Sequence, residues 1–170
     1  MKATFAFCAV VTLALASWTL VGCQEKPGEV VKPKPQEAQP TLPKATITVA
    51  DVSLEVEVAD EEKEREAGYM FREEPKQSGM LFAWPTDDYR SFHMKNVSFD
   101  LDLAYIGADG TIFQTLRMKA FRTLGPGERS LYASLRPAKY ALEVPAGWLA
   151  EHKITEGTAV KIPPDVQGKE

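Results

Sequence analysis

A chain of 170 residues carrying a formal charge of −4, with 26% of its residues charged, suits one folded domain and is short for two. Mild acidity, and the lack of any basic run interleaved with aromatics, exclude the usual footprint of a nucleic-acid binder. With only two cysteines, at positions 8 and 23, the chain offers no disulfide framework for a secreted scaffold.

The N-terminus reads as a targeting segment. Lys2 is the only charge before Glu25, and an apolar run from Ala3 to Val21 ends in Leu20-Val21-Gly22-Cys23. That pattern predicts a signal peptide over residues 1–22, cut before a cysteine whose thiol takes a diacylglyceryl group. The run is also nearly long enough to be an uncleaved anchor, and either way the remainder faces the far side of the membrane. Several acyl chains on Cys23 exceed what stable anchoring requires. Gln24 in the next position fits outer-membrane sorting, so the expected address is the bacterial envelope, facing the periplasm or the exterior. Cys8 leaves with the signal, so the mature domain has no free thiol, no disulfide and no thiolate metal ligand.

Residues 23–44 read as a linker. Pro27, Pro33, Pro35, Pro40 and Pro43 alternate with Lys, Glu and Gln, a composition that favours extended polyproline structure and a spacer with reach.

From Thr46 the apolar period becomes two. Ile47 and Val49, then Val52, Leu54, Val56 and Val58, predict a hairpin turning near Ala50-Asp51. Asp60 is an N-cap candidate for a short helix ending near Ala67-Gly68. Met80 to Trp84 reads as a buried strand stopped by Pro85, Ser91 to Met94 as a second, with a turn over Lys95 to Ser98. Leu101 to Ile106 and Thr111 to Met118 form a hairpin about Asp109-Gly110. A loop over Lys119 to Gly127 precedes a strand from Lys139 to Val144. Pro145 suits the first position of a helical turn running to about His152. Thr158 to Ile162 is the last strand, and Pro163-Pro164 ends the domain, leaving residues 164–170 as a frayed tail. The fold class is therefore mainly β (α+β): one small domain over residues 45–163, a curled antiparallel sheet or partly open barrel with one or two short helices.

Several of these stretches resemble a known family. Gly79-Met80-Leu81-Phe82, Met94-Lys95-Asn96, Leu101-Asp102 and Leu142-Glu143 with Gly147 are similar, in order, to the domain of unknown function 192 family of bacteria and archaea. Arg65, Gly68, Met70 and Arg72 fit its first motif. The resemblance spans Thr46 to Ile162 and implies a small β-rich fold with no established activity. Three positions depart from the family pattern: His93 stands where Trp is usual, Asp100 where Pro is usual, and Tyr69 where Leu is usual.

The candidate chemistry concentrates around the central stretch. Lys95, Asn96 and Asp102, supported by Arg72 and Glu143, form a polar set among large apolar residues, either a ligand site or a structural network. Asp102 is expected to pair with Lys95 or Arg72. Asp102 and Glu143 are also candidates for the carboxyl pair of a hydrolase. Trp84, Tyr89, Phe92 and His93, with Asp87, Asp88 and Arg90, would suit a sugar or a peptide, although Trp84 and Phe92 also alternate as core residues. His93 and His152 have no metal-ligand spacing, no Gly-x-Ser-x-Gly elbow occurs, and neither metal nor cofactor is expected. The sequence names no reaction. It favours an accessory or assembly module that binds an envelope glycan, peptide or protein, against a hydrolase using Asp102 and Glu143 or a purely structural interaction module.

Overall fold

The computed structural model describes residues 37–73, 79–121 and 131–170. The expected signal peptide and Cys23, most of the linker, and the Gly125-Pro126-Gly127 loop lie outside them.

Strands β1 (Lys44–Val49) and β2 (Val52–Ala59) form the expected hairpin, with Ile47 opposite Leu54 and Val49 opposite Val52. Helix α1 (Glu62–Ala67) follows. Its N-cap is Glu61 and not Asp60. The Glu64 carboxylate accepts the free N–H groups of both Asp60 and Glu61 at 3.1 Å, which satisfies two of the donors a helix start leaves exposed. The helix returns the chain to lay β3 (Gly79–Asp88) parallel to β2, the one parallel pair among the described strands.

Strand β3 does not stop at Pro85. It runs on to Asp88 across a register break between Ala83 and Asp88. An irregularity of this kind tolerates a residue without an N–H. Strands β5 (Leu101–Ile106), β6 (Ile112–Met118) and β8 (Ala138–Pro145) complete the antiparallel half, and β9 (Val160–Lys161) pairs with β1. Pro145 closes β8 and does not open a helix. The helical turn α2 covers only Trp148–Glu151.

The seven strands lie in the order β6-β5-β8-β3-β2-β1-β9. The sheet curls until its edges meet at one end. The Ile112 N–H donates to the Thr158 carbonyl at 2.9 Å, and the Val160 N–H to the Gly110 carbonyl at 2.7 Å. The result is a half-barrel. Its inner layer unites Ile47, Val56, Leu81, Ile106, Leu142 and Val160. The other face carries Met80, Phe82, Leu101, Leu103, Tyr105 and Met118. It is covered by the Met94–Phe99 turn and a two-stranded sheet of β4 (Ser91–His93) and β7 (Leu131–Ala133). Strand β7 has no counterpart in the sequence reading, because three residues with one half-buried side chain give no periodicity.

The segment after Pro163, read as frayed, is laid against the domain. Val166 is buried in the inner layer. The Lys169 N–H donates to the Asp60 carbonyl at 2.7 Å, and its ammonium bonds the Asp60 carboxylate at 2.9 Å. The contact is close enough to require glycine: a Cβ on Gly168 would fall 2.2 Å from the Trp84 carbonyl carbon. Two prolines read as an exit signal here because sequence does not reveal that the chain doubles back.

Candidate functional site

The residues expected to form one polar centre do not meet. Asp102, on β5, is 4% exposed and fully engaged. The Arg117 Nε donates to its Oδ1, while the N–H groups of Gly147 and Leu149 donate to Oδ2 at 2.8 and 3.3 Å. Asp102 thus ties β5 to β6 and holds the start of α2, where helix donors favour an anion.

Lys95 is exposed and makes no hydrogen bond or ion pair among the described residues; it does not pair with Asp102. Asn96 contributes backbone: its φ of 59° turns the chain between β4 and β5, and its carbonyl accepts the Phe71 N–H at 2.9 Å. Asparagine tolerates that left-handed conformation better than most residues.

Arg72 also belongs elsewhere. It pairs with Glu57 at 2.6 Å, donates to the Pro40 carbonyl at 2.8 Å and lies 5.8 Å from the Tyr69 ring centre. Burial works against the Glu57 charge. Arg72 and the Leu42 N–H more than offset this, so its pKa falls below the ordinary carboxylate value. Asp100, the departure from the family's proline, accepts the Lys119 ammonium and the Ala120 N–H, both at 2.8 Å. Its polarity is structural.

Glu143 is different. It sits on β8 directly opposite Met80 of β3 and Leu103 of β5, on the face that carries Phe82 and Tyr105. It is 4% exposed, and its carboxyl makes no hydrogen bond or ion pair among the described residues. Burial without a partner pushes its pKa up to about 8, so the acid is largely protonated at neutral pH. Burial and the nearby Glu143 charge together hold the Tyr69 and Tyr105 phenols above their ordinary range. Asp102 and Glu143 cannot act as a carboxyl pair, because alternation along paired strands sends them to opposite faces: Asp102 lies opposite Val144 and Leu103 opposite Glu143.

Glu143 borders a cleft of about 570 Å³ between α1 and the β3–β4 corner, a size that suits a small ligand. Aromatic rings form much of its wall. Phe82 and Phe92 meet edge to face at 4.8 Å, and Phe82 stacks with Trp84 at 6.2 Å. Tyr89 and His93 stand at the mouth, Tyr89 with 66% of its surface exposed. Trp84, which alternation assigns to the core, is half-buried, packs against that core and also lines the cleft. The Arg90 guanidinium lies 4.6 Å from its ring centre.

The sequence reading missed the contribution of α1. Arg65 donates to the carbonyls of Asp60, of Ala83 at 3.0 Å and of Lys169 at 3.0 Å, tying helix, strand and tail together beside the cleft. Glu62, Glu66 and Glu170 also line it. The positions of Arg65 and Gly68 in the resembled motif were the available signal. Among the described residues, no group of three or more His, Cys, Asp or Glu side chains is placed to hold a metal ion.

The family model described as DUF192, Uncharacterized ACR, matches residues 45–162, and the chain belongs to that family. Two of the solved structures that share the fold bear on this chain. One is a protein from Sinorhizobium meliloti 1021 described as a candidate transcription regulator, 27% identical, with a TM-score of 0.63 over 72% of this chain and 96% of that one. The other is a protein of unknown function from Novosphingobium aromaticivorans DSM 12444, 24% identical, with a TM-score of 0.61 over 71% of this chain and 86% of that one. No curated protein matches the chain.

Proposed function

We infer that this protein is a lipid-anchored component of the bacterial envelope, tethered to the membrane through Cys23, whose half-barrel binds a small glycan or peptide as an accessory or assembly module. The observation that carries the binding reading is the aromatic-walled cleft edged by the Glu143 carboxyl, 4% exposed and without a hydrogen-bond or ion-pair partner among the described residues. A buried polar group without a partner lowers stability, and one bordering an open cleft is positioned to gain a partner from a ligand. The anchoring reading rests on Leu20-Val21-Gly22-Cys23 after an apolar run, followed by a proline-rich spacer.

Two measurements test it. Mass spectrometry of the native protein is expected to show a chain beginning at Cys23 with a lipid mass on that residue. An intact N-terminus with an unmodified sulfur overturns the anchor. Thermal shift of the detergent-solubilised protein against envelope glycan fragments and short peptides is expected to give a ligand whose stabilisation is lost in Trp84→Ala and Glu143→Ala. No stabilisation by any member of either class overturns the binding reading.

A further inference from the structure

The polar groups around the cleft are not evenly engaged. Both guanidiniums at its wall are committed to backbone carbonyls. Arg65 serves Asp60, Ala83 and Lys169. Arg90 donates to the Thr86 carbonyl at 2.6 Å and the Ala138 carbonyl at 3.5 Å while lying on the Trp84 ring. Among the described residues, the carboxylates of Glu62, Glu66 and Glu170 make no hydrogen bond or ion pair, and neither does Glu143. The unengaged charged groups of this cleft are therefore acceptors, beside the hydroxyls of Thr86, Tyr89 and Ser91 and the His93 ring. Its walls supply aromatic surface, which attracts cations as well as apolar bodies.

We propose that the cleft takes an organic cation, a primary ammonium or guanidinium head on an aliphatic body as in a lysine- or arginine-bearing peptide, with its head seated on the Glu143 carboxylate. This rests on the binding reading above and chooses the peptide over the glycan. A neutral sugar could donate hydroxyls to the rim carboxylates but would leave their charge unmatched. An anionic ligand would meet those carboxylates, while the two guanidiniums, though still charged, already donate to carbonyls and lie at the wall.

The seat has a built-in proton linkage. Glu143 is faced by Met80 and Phe82 of β3, by Leu103 and Tyr105 of β5, and by Tyr69 from the segment after α1. The titratable groups among these are two phenols, which stay protonated at neutral pH. The other titratable or charged groups bordering the cleft are Glu62, Glu66, Glu170, Tyr89, His93 and the two engaged arginines. A cation arriving at neutral pH finds a protonated acid, and forming the ion pair requires the Glu143 proton to leave for solvent.

The test is titration calorimetry of the full chain in detergent, in two buffers of different ionisation enthalpy. Three probes are used: acetyl-lysine methylamide, its Nε-acetylated neutral counterpart, and N,N′-diacetylchitobiose. The lysine compound is expected to bind with release of close to one proton at pH 7, its affinity rising about tenfold per pH unit up to about pH 8. The neutral counterpart is expected to bind at least about tenfold more weakly. Glu143→Gln should abolish proton release, whereas Glu66→Gln, on the exposed rim, should weaken binding and leave the release unchanged. Equal binding of the neutral counterpart, or cation binding without proton release, overturns the Glu143 seat. Binding of diacetylchitobiose alone overturns the cation while the binding reading stands. Silence from all three overturns both.

Discussion

Asp102 and Glu143 lie one register step apart on the neighbouring strands β5 and β8, yet their carboxyls occupy opposite faces of the sheet. One accepts three hydrogen bonds and the other none among the described residues. The two acids therefore answer mutation in opposite ways.

Asp102→Ala should destabilise the domain by ~2–4 kcal/mol, since it leaves the Gly147 and Leu149 N–H groups and Arg117 without their acceptor. Lys95→Ala, exposed and unbonded, should stay within about 0.5 kcal/mol of the parent. Urea unfolding of both variants checks the contrast. Equal losses would mean that Lys95 belongs to the same network after all.

Glu143 sets a pH dependence of fixed sign. Its folded pKa, about 8, lies above the ordinary carboxyl value of 4.5. Between those values the folded state holds a proton that the unfolded state has released, so stability falls as pH rises through this window and levels off above it. Glu143→Gln should unfold at nearly the same temperature at pH 5 and pH 9 so far as this group is concerned. It should exceed the parent most at pH 9. Scanning calorimetry at the two pH values is the measurement, and a parent that is more stable than the variant at pH 9 contradicts the assignment.

Gly79 opens β3 where it touches β8. A Cβ there would sit 2.7 Å from the Glu143 carbonyl oxygen and 3.0 Å from the Val144 side chain, well inside contact distance and against backbone that cannot yield cheaply. Gly79→Ala should cost about 2 kcal/mol or more through forced separation of the two strands, read as a lower urea midpoint with an unchanged slope.

Arg65 gathers three carbonyls with one planar fork, and lysine cannot reproduce that geometry. Arg65→Lys is expected to cost ~1–3 kcal/mol and to loosen the tail before the rest of the domain. Hydrogen exchange should show Lys169, whose N–H donates to Asp60, losing protection ahead of β5 and β8. Uniform loss across the sheet would show that Arg65 supports the whole fold and not the tail alone.

Much of the sheet was legible because its strands alternate. Ile47, Val49, Leu54 and Val56 announce the first hairpin, and Asp109-Gly110 the one between β5 and β6. The half-barrel and the family followed from strand number and motif order. What could not be read was pairing across long separations. Nothing local says that Asp102 receives Gly147 and Leu149 from 45 and 47 residues away, or that Lys169 returns to Asp60. The candidate site was legible in its chemistry and not in its grouping. Glu143, Tyr89 and His93 were recognised and do border one cleft, whereas Lys95, Asn96, Asp102 and Arg72 were grouped with them on sequence proximity and polarity alone. Arg65 and Glu66 went unnoticed as site residues because a charged helix face reads as solvated surface.

The place of β8 between β5 and β3 governs when this domain can assemble. Everything from Lys44 to Met118 is made before the strand that joins its two halves, so the growing polypeptide holds a hairpin on each side of a gap and cannot complete the sheet until residue 145 is available. Chain closure over such separations is slow. A newly made copy therefore stays open through most of its synthesis, with the apolar faces of both hairpins uncovered until β8 arrives.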